Sequence, residues 1–293
     1  MASLYKTLAA LLLFLAMTGG VQAGPAYRLY TAAGRPVTVG EAAGLLGRYD
    51  VLVFGEYHDN AVLHRLELAL LTELYARQPK LAVSLEMFEQ DAQSQLDAYL
   101  AGRITEQEFL AKSRPWKNYR EAYRPLVEFA RARSLPVMAA NIPRPLAAQY
   151  AREGSLDKVA AEMAVYLPAV HSAPPGKYRQ KFMAYMTDSA NSARMPVDRN
   201  RLENYYRAQC LKDDAMAEKI ARYNHLRPDY KIAHYQGDFH SRGRLGVVEK
   251  LQLLAPALKV AVVAPVYVEN LADAPDCLEQ QQDAGDILVF LTR

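Results

Sequence analysis

The stretch VLVFGEYHDN, residues 51–60, changes character in its middle. Val51 to Phe54 are apolar without alternation, which reads as a strand covered on both faces. Gly55 is its exit, and Glu56, His58 and Asp59 follow within four positions. A covered strand that ends in two carboxylates and an imidazole is either running into a solvated turn or supplying one wall of a site.

Five further runs have the same apolar texture: LAVSLE (81–86), LPVMAAN (135–141), KIAHYQG (231–237), KVAVVAP (259–265) and DILVFL (286–291). Helical patterns lie between them. NAVLHRLELALLTELYAR places Leu63, Leu66, Leu70 and Leu74 on one stripe, with Asp59 or Asn60 available to cap its start. Similar patterns occupy 119–133, before the third strand, and 242–254, after the fourth. This alternation predicts an α/β fold: a mostly parallel central sheet flanked by helices. Residues 145–225 carry no strand signal. They read as a helical excursion inserted over the carboxyl-terminal edge of the strands, within a single domain spanning 24–293.

The chain opens with one cation, Lys6, then an apolar run from Leu8 to Met17 and the small-residue pattern Val21-Gln22-Ala23. That arrangement predicts a signal peptide over 1–23 and an exported, periplasmic or envelope-associated protein. The run is too short to span a bilayer comfortably. No Cys follows Gly19 or Gly20, so the usual lipoprotein anchor is not expected. The whole chain has 35 Lys+Arg against 32 Asp+Glu, a balance that gives no reason to expect a nucleic-acid partner. The cysteines are Cys210 and Cys277. An oxidising compartment permits a bridge between them without making a disulfide scaffold. No CxxC or Cys/His zinc spacing is present, so no metal site is expected from spacing.

The polar residues gather at strand ends. Gly55-Glu56-Tyr57-His58, Glu86-Met87-Phe88-Glu89, Ala140-Asn141 and Gly237-Asp238-Phe239-His240 each close a strand. Open α/β sheets bind ligands beyond the carboxyl ends of their strands, so Glu56, His58, Glu86, Asn141 and His240 are expected on one rim. Glu86 sits between LAVSL and MF, close to the interior, where a carboxylate needs a partner or a proton. His58 or His240 would serve. A long helix over 200–224 adds Gln209 and Asp213 to an otherwise apolar face. They are expected to find partners on the sheet and steady the rim from behind.

Together GEYHDN…H (55–64), LEMFEQ (85–90), AANIPR (139–144), YYRAQCLKDDAMAEKI (205–220) and GDFHSRGRLGVVEKL (237–251) resemble the ChaN-type haem-binding uptake proteins. That family is grouped with the Tiki metalloproteases and the erythromycin esterases. The resemblance covers nearly all of the chain after residue 23. It implies an exported protein of iron and haem uptake that encloses two stacked haems in a homodimer. Each iron would take a Tyr from one subunit, while a His and a Lys of the other approach the propionates. A haem uptake system also implies an outer-membrane haem receptor as a further partner.

Haem needs an apolar slot, an axial donor and cations for its propionates. The excursion supplies such a mixture. Tyr178, Phe182 and Tyr185 fall at i, i+4 and i+7, accompanied by His171, Lys177, Lys181, Met183 and Met186. Tyr178 and Tyr185 are the candidate iron ligands; His171, Lys177 and Lys181 are candidates for the propionates. A plain amphipathic lid would show the same spacing. The competing reading puts the work on the rim, as a metal-dependent hydrolase of esters or peptides. There Glu56 or Glu86 would be a general base, and His58 and His240 metal ligands or acid/base partners. Against it, no Ser or Cys stands in a nucleophile elbow and no HExxH is present.

Overall fold

The computed structural model describes residues 26–188 and 199–293; the expected signal peptide lies outside them. Eight strands form one sheet: β1 Tyr27–Thr31, β2 Pro36–Val37, β3 Val51–Glu56, β4 Leu81–Glu89, β5 Val137–Asn141, β6 Lys231–Gly237, β7 Val260–Tyr267 and β8 Ile287–Leu291. Their order is β2-β1-β8-β7-β3-β6-β4-β5. Strands β3 to β8 pair in parallel; β1 runs antiparallel to both β2 and β8. The sheet is therefore mixed and mostly parallel. All six apolar runs are strands. The β1–β2 ribbon was not among the expected strands, because YRLYT is half polar and Pro36–Val37 is only two residues long.

The helices are α1 Val39–Leu46, α2 Ala61–Arg77, α3 Gln93–Leu100, α4 Glu106–Ser113, α5 Tyr119–Ala122, α6 Arg124–Ala132, α7 Arg144–Glu153, α8 Ala161–Ala164, α9 Lys177–Thr187, α10 Arg199–Leu226, α11 Val247–Leu254 and α12 Ala274–Gln281. No helix among the described residues is long and apolar enough to cross a membrane.

Alternation along β3 shows how the layers form. Leu52 and Phe54 join a core with Leu63, Leu66 and Leu70 of α2 and with Tyr123 and Leu126. Val51 and Val53 face the other way, into a core with Met216 and Ile220 of α10 and Val248 and Leu251 of α11. Both faces of the strand are apolar because both are covered. Each large aliphatic side chain so buried contributes about 1.5–3 kcal/mol relative to exposure.

Two local features aim the strand ends. β3 pairs with β6 through Glu56 opposite Gly237, so their polar exits stand side by side. Between β4 and β5 the register shifts after Leu85–Ala139 and resumes at Glu89–Asn141. Glu86, Met87 and Phe88 thus oppose Ala140 alone. Such a bulge re-aims side chains next to sites, and here it carries Glu86.

Along 144–226, among the described residues, the structure is helical and irregular without strands. Residues 189–198 lie outside the description. Helix α9 packs through Tyr178 and Phe182 on Tyr206 of α10 and on Phe239, two residues beyond β6. The bridge that the cysteines would permit is not formed, and both are free. Cys210 packs beside Tyr178 and Tyr206, whereas Cys277 packs against the separate cluster around Tyr30 and Phe290.

Candidate functional site

The exits of β3, β4, β5 and β6 converge. A cleft of about 610 Å3 opens above them, lined by His58, Glu86, Asn141, Gln209 and His240 and walled by Trp116 and Ile142. Lys117, Arg144 and Lys212 bring positive charge to the same opening. The structure thus brings His58, Glu86, Asn141, Gln209 and His240 onto one rim. Glu56 and Asp213, fully buried, stand directly behind the two histidines.

Each histidine is held at Nδ1 by a buried carboxylate. His58 Nδ1 lies 2.6 Å from Glu56 Oε1. His240 Nδ1 lies 2.5 Å from Asp213 Oδ1 of α10. Between the rings is Glu86: its Oε1 is 3.3 Å from His240 Nε2, and its Oε2 accepts from the Gly237 backbone N–H at 2.8 Å. The Gln209 carboxamide abuts the His240 ring at 3.2 Å. Gly237 is required by contact rather than by dihedral angle. A Cβ there would come within 2.8 Å of the His58 ring. His58 also meets Trp116 edge to face at 4.7 Å, and Asn118 donates to its carbonyl at 2.6 Å.

The charges follow from this packing. Burial pushes Glu86 upward, but the His240 and His58 imidazoles and the Gly237 N–H outweigh it and hold the carboxyl well below its usual range. Burial pulls His240 down, yet Glu86 and Asp213 together push it up to about 9. His58 is likewise raised: burial pulls it down, but its hydrogen bond to Glu56 together with the charges of Glu86 and Glu56 outweighs that. At neutral pH His240 is therefore an imidazolium held against the Glu86 carboxylate.

Several participants were not among the expected residues. Glu89, at the end of β4, is buried and paired with Arg114 and with Arg144, whose backbone N–H it also accepts. Tyr123 donates to Glu56 Oε1 at 2.9 Å. Ser84, His234 and Gln236 form a buried hydrogen-bonded chain on β4 and β6. Burial depresses His234 to about 4, so it is neutral. The last three stand inside apolar runs, where only their polarity gave a signal. Glu89 showed only as a polar residue at a strand end and Tyr123 gave no signal, because their partners lie 25 or more residues away in the chain.

The candidate haem residues are dispersed. Tyr178 is 1% exposed, and its hydroxyl meets Gln209 and Asp213. It belongs to the packing behind His240 rather than to an open slot. Tyr185, by contrast, is 53% exposed and packs on Phe239. Lys181 turns inward and donates to the carbonyls of Phe239 and Arg242; burial lowers it to about 8. His171 is held by Asp214 and Tyr150. Lys177 is exposed.

A second groove of about 330 Å3 joins the cleft at Arg144, Ala147, Gln209 and Lys212. It runs between α7, α9 and α10, lined by Ala148, Ala151, Phe182, Met186 and Tyr205.

Residues 43–251 match the family model described as haem-binding uptake, Tiki superfamily, ChaN. The fold is similar to that of ChaN of Campylobacter jejuni, solved with haem bound cofacially. The TM-score is 0.68 at 15% identity, over 90% of this chain and 96% of that one. An erythromycin esterase, EreC, in its open conformation, aligns at a TM-score of 0.49 and 14% identity, over 82% and 77%. The type III effector HopBA1 aligns at 0.48 and 10% identity, over 87% and 93%. Among curated proteins none matches.

Proposed function

This chain belongs to the haem-binding uptake family of the Tiki superfamily, the ChaN family, and we propose that it is an exported haem-binding protein of iron uptake. The observation that carries the reading is the groove between α7, α9 and α10. Its floor and walls are apolar, and two cations, Arg144 and Lys212, stand where it meets the polar cleft. An apolar slot with a few placed polar groups is what a macrocycle with two carboxylates requires. Phe182, Met186 and Ala148 would take the ring, and Arg144 and Lys212 the propionates. Tyr185, half-exposed on α9 next to Met186, is the candidate axial ligand, whereas Tyr178 is buried. When bound, haem supplies the iron, and a phenolate oxygen favours the ferric state. The groove is open along one side, so a second copy of the chain closing over it accounts for enclosure. Export rests on the leader pattern of residues 1–23, and an outer-membrane receptor would supply the haem.

A hemin titration followed by absorption tests this. Wild type is expected to give the Soret band of a five-coordinate, tyrosinate-ligated ferric haem. Tyr185→Phe should shift that band, and replacing Arg144 and Lys212 by Gln should weaken binding about tenfold or more. Absence of hemin binding by wild type sinks the reading; an unchanged spectrum in Tyr185→Phe moves the ligand elsewhere.

One observation favours a second reading, a hydrolase working at the rim. Two imidazoles, each oriented by a buried carboxylate, flank Glu86 in an open cleft, which sets a carboxylate base beside the His240 imidazolium acid. Hydrolysis of a simple aryl ester, lost in His240→Gln and Glu86→Gln alike, would support it.

A further inference from the structure

Behind the rim, Glu56 belongs also to a second cluster, whose other members, His64 and Glu67, neither reading uses. Leu52, Phe54 and Glu56 alternate toward the α2 face of the sheet. On α2, His64 and Glu67 stand one turn apart within its buried stripe. His64 Nδ1 is 3.0 Å from Glu56 Oε2 and 3.3 Å from Glu67 Oε2. Among the described residues these three form the group whose donor atoms all lie within 4.8 Å of one another. His64 is 8% exposed, Glu56 1% and Glu67 0%.

The tautomer of His64 is informative. Its Nε2 lies 3.2 Å from the carbonyl oxygen of His58. A carbonyl only accepts, so Nε2 carries the hydrogen. Nδ1 therefore either holds a second proton between two carboxylates, or directs a lone pair at them with a cation in between. A second observation points to the cation. Glu67 Oε1 and the Tyr235 hydroxyl are fully buried and have no hydrogen-bond partner. They belong to neighbouring groups, since the charge of Glu67 bears on the Tyr235 phenol. Buried polar atoms left unsatisfied in this way ask for a ligand.

We propose that Glu56, His64 and Glu67 form a binding site for a first-row divalent cation: Mn2+, Fe2+ or Zn2+. Oxygen and nitrogen ligands stand about 2.0–2.2 Å from such ions, which puts neighbouring donors about 3.0–3.5 Å apart; the observed 3.0 and 3.3 Å match. Two carboxylates and a neutral imidazole balance a 2+ charge. One nitrogen with oxygens, and no thiolate, selects against Cu+, and the small number of oxygens selects against Ca2+. The outer contacts are those a ligating histidine requires: Nε2–H to a backbone carbonyl, and Tyr123 and His58 on the other oxygen of Glu56. The ion replaces the proton on His64 Nδ1 and any on Glu67, so its uptake releases protons. By fixing Glu56 it would fix His58, making the ion a support for the rim rather than a group facing the cleft.

This inference does not depend on the haem reading. The test uses the full chain, freed of metal by a chelator and titrated with Mn2+ and with Zn2+ by calorimetry. Wild type should bind one equivalent. H64Q and E67Q should each weaken binding about tenfold or more, while E86Q and H240Q leave it unchanged. Pulsed EPR of the Mn2+-loaded wild type should show coupling to one ligated imidazole nitrogen, which decides the matter even if a variant does not fold. No stoichiometric binding by wild type, coupling to two imidazoles, or binding lost in E86Q and kept in E67Q would overturn the proposal. An unchanged hemin spectrum in E67Q would separate this site from the haem groove.

Discussion

At His240, burial and charge act in opposite directions, and charge wins. The ring is 5% exposed, yet Glu86 and Asp213 on its two nitrogens raise it to about 9. Its ordinary value is 6.5, so the folded state binds the proton more tightly than the unfolded chain does. The stabilisation is complete below pH 6.5 and is lost as pH rises through about 9. Urea unfolding across pH 6–10 should show this decline, and His240→Gln should flatten the part that belongs to this residue. A variant as steeply pH-dependent as wild type would assign the decline elsewhere. The rim histidines and Glu86 were legible in the sequence because each closes an apolar run, where a polar group needs a reason. Glu67 was not, because a carboxylate in a long helix is ordinarily solvent-facing. Only its partner Glu56, on another element, shows that it is inside.

Among the elements, α2 is the one on which both the rim and the buried cluster depend. Asn60 caps it, accepting from the N–H groups of Val62 and Leu63 at 3.0 Å, and donates to the Tyr267 hydroxyl at the end of β7. Of the two residues available for that role, Asn60 takes it. Asn60→Ala should cost about 1 kcal/mol, seen as a lower urea midpoint with an unchanged slope. No loss would mean that the cap is replaced by water. The β4 bulge was beyond the reach of pattern. LAVSLEMFE has no residue that marks a register shift, and the extra residues appear only when β4 is laid against β5. Helices α3 and α4 were missed for a different reason: each is eight residues long with two buried side chains, too short for a period to stand out.

For the whole molecule, the open groove sets the expectation. If two copies close over stacked haems, the metal- and haem-free chain should sediment as a monomer. Hemin should then convert it to a dimer holding one haem per chain. A haem-loaded monomer would count against enclosure by a second copy, while leaving binding itself intact.

Sequence alone determined the six parallel strands of the core, that both faces of the sheet are covered, and that polar residues gather where strands end. Those properties follow from apolar burial, which is read locally and has no direction. Tertiary structure decided who stands beside whom. It put β3 between β6 and β7, seated His240 against both Glu86 and Asp213, and faced His64 and Glu67 onto Glu56. Glu86 and Gly237 are 151 residues apart yet share a hydrogen bond. Hydrophobicity can bring such residues inside, but only the register of paired strands and the packing of helices on them fix the distances on which chemistry depends.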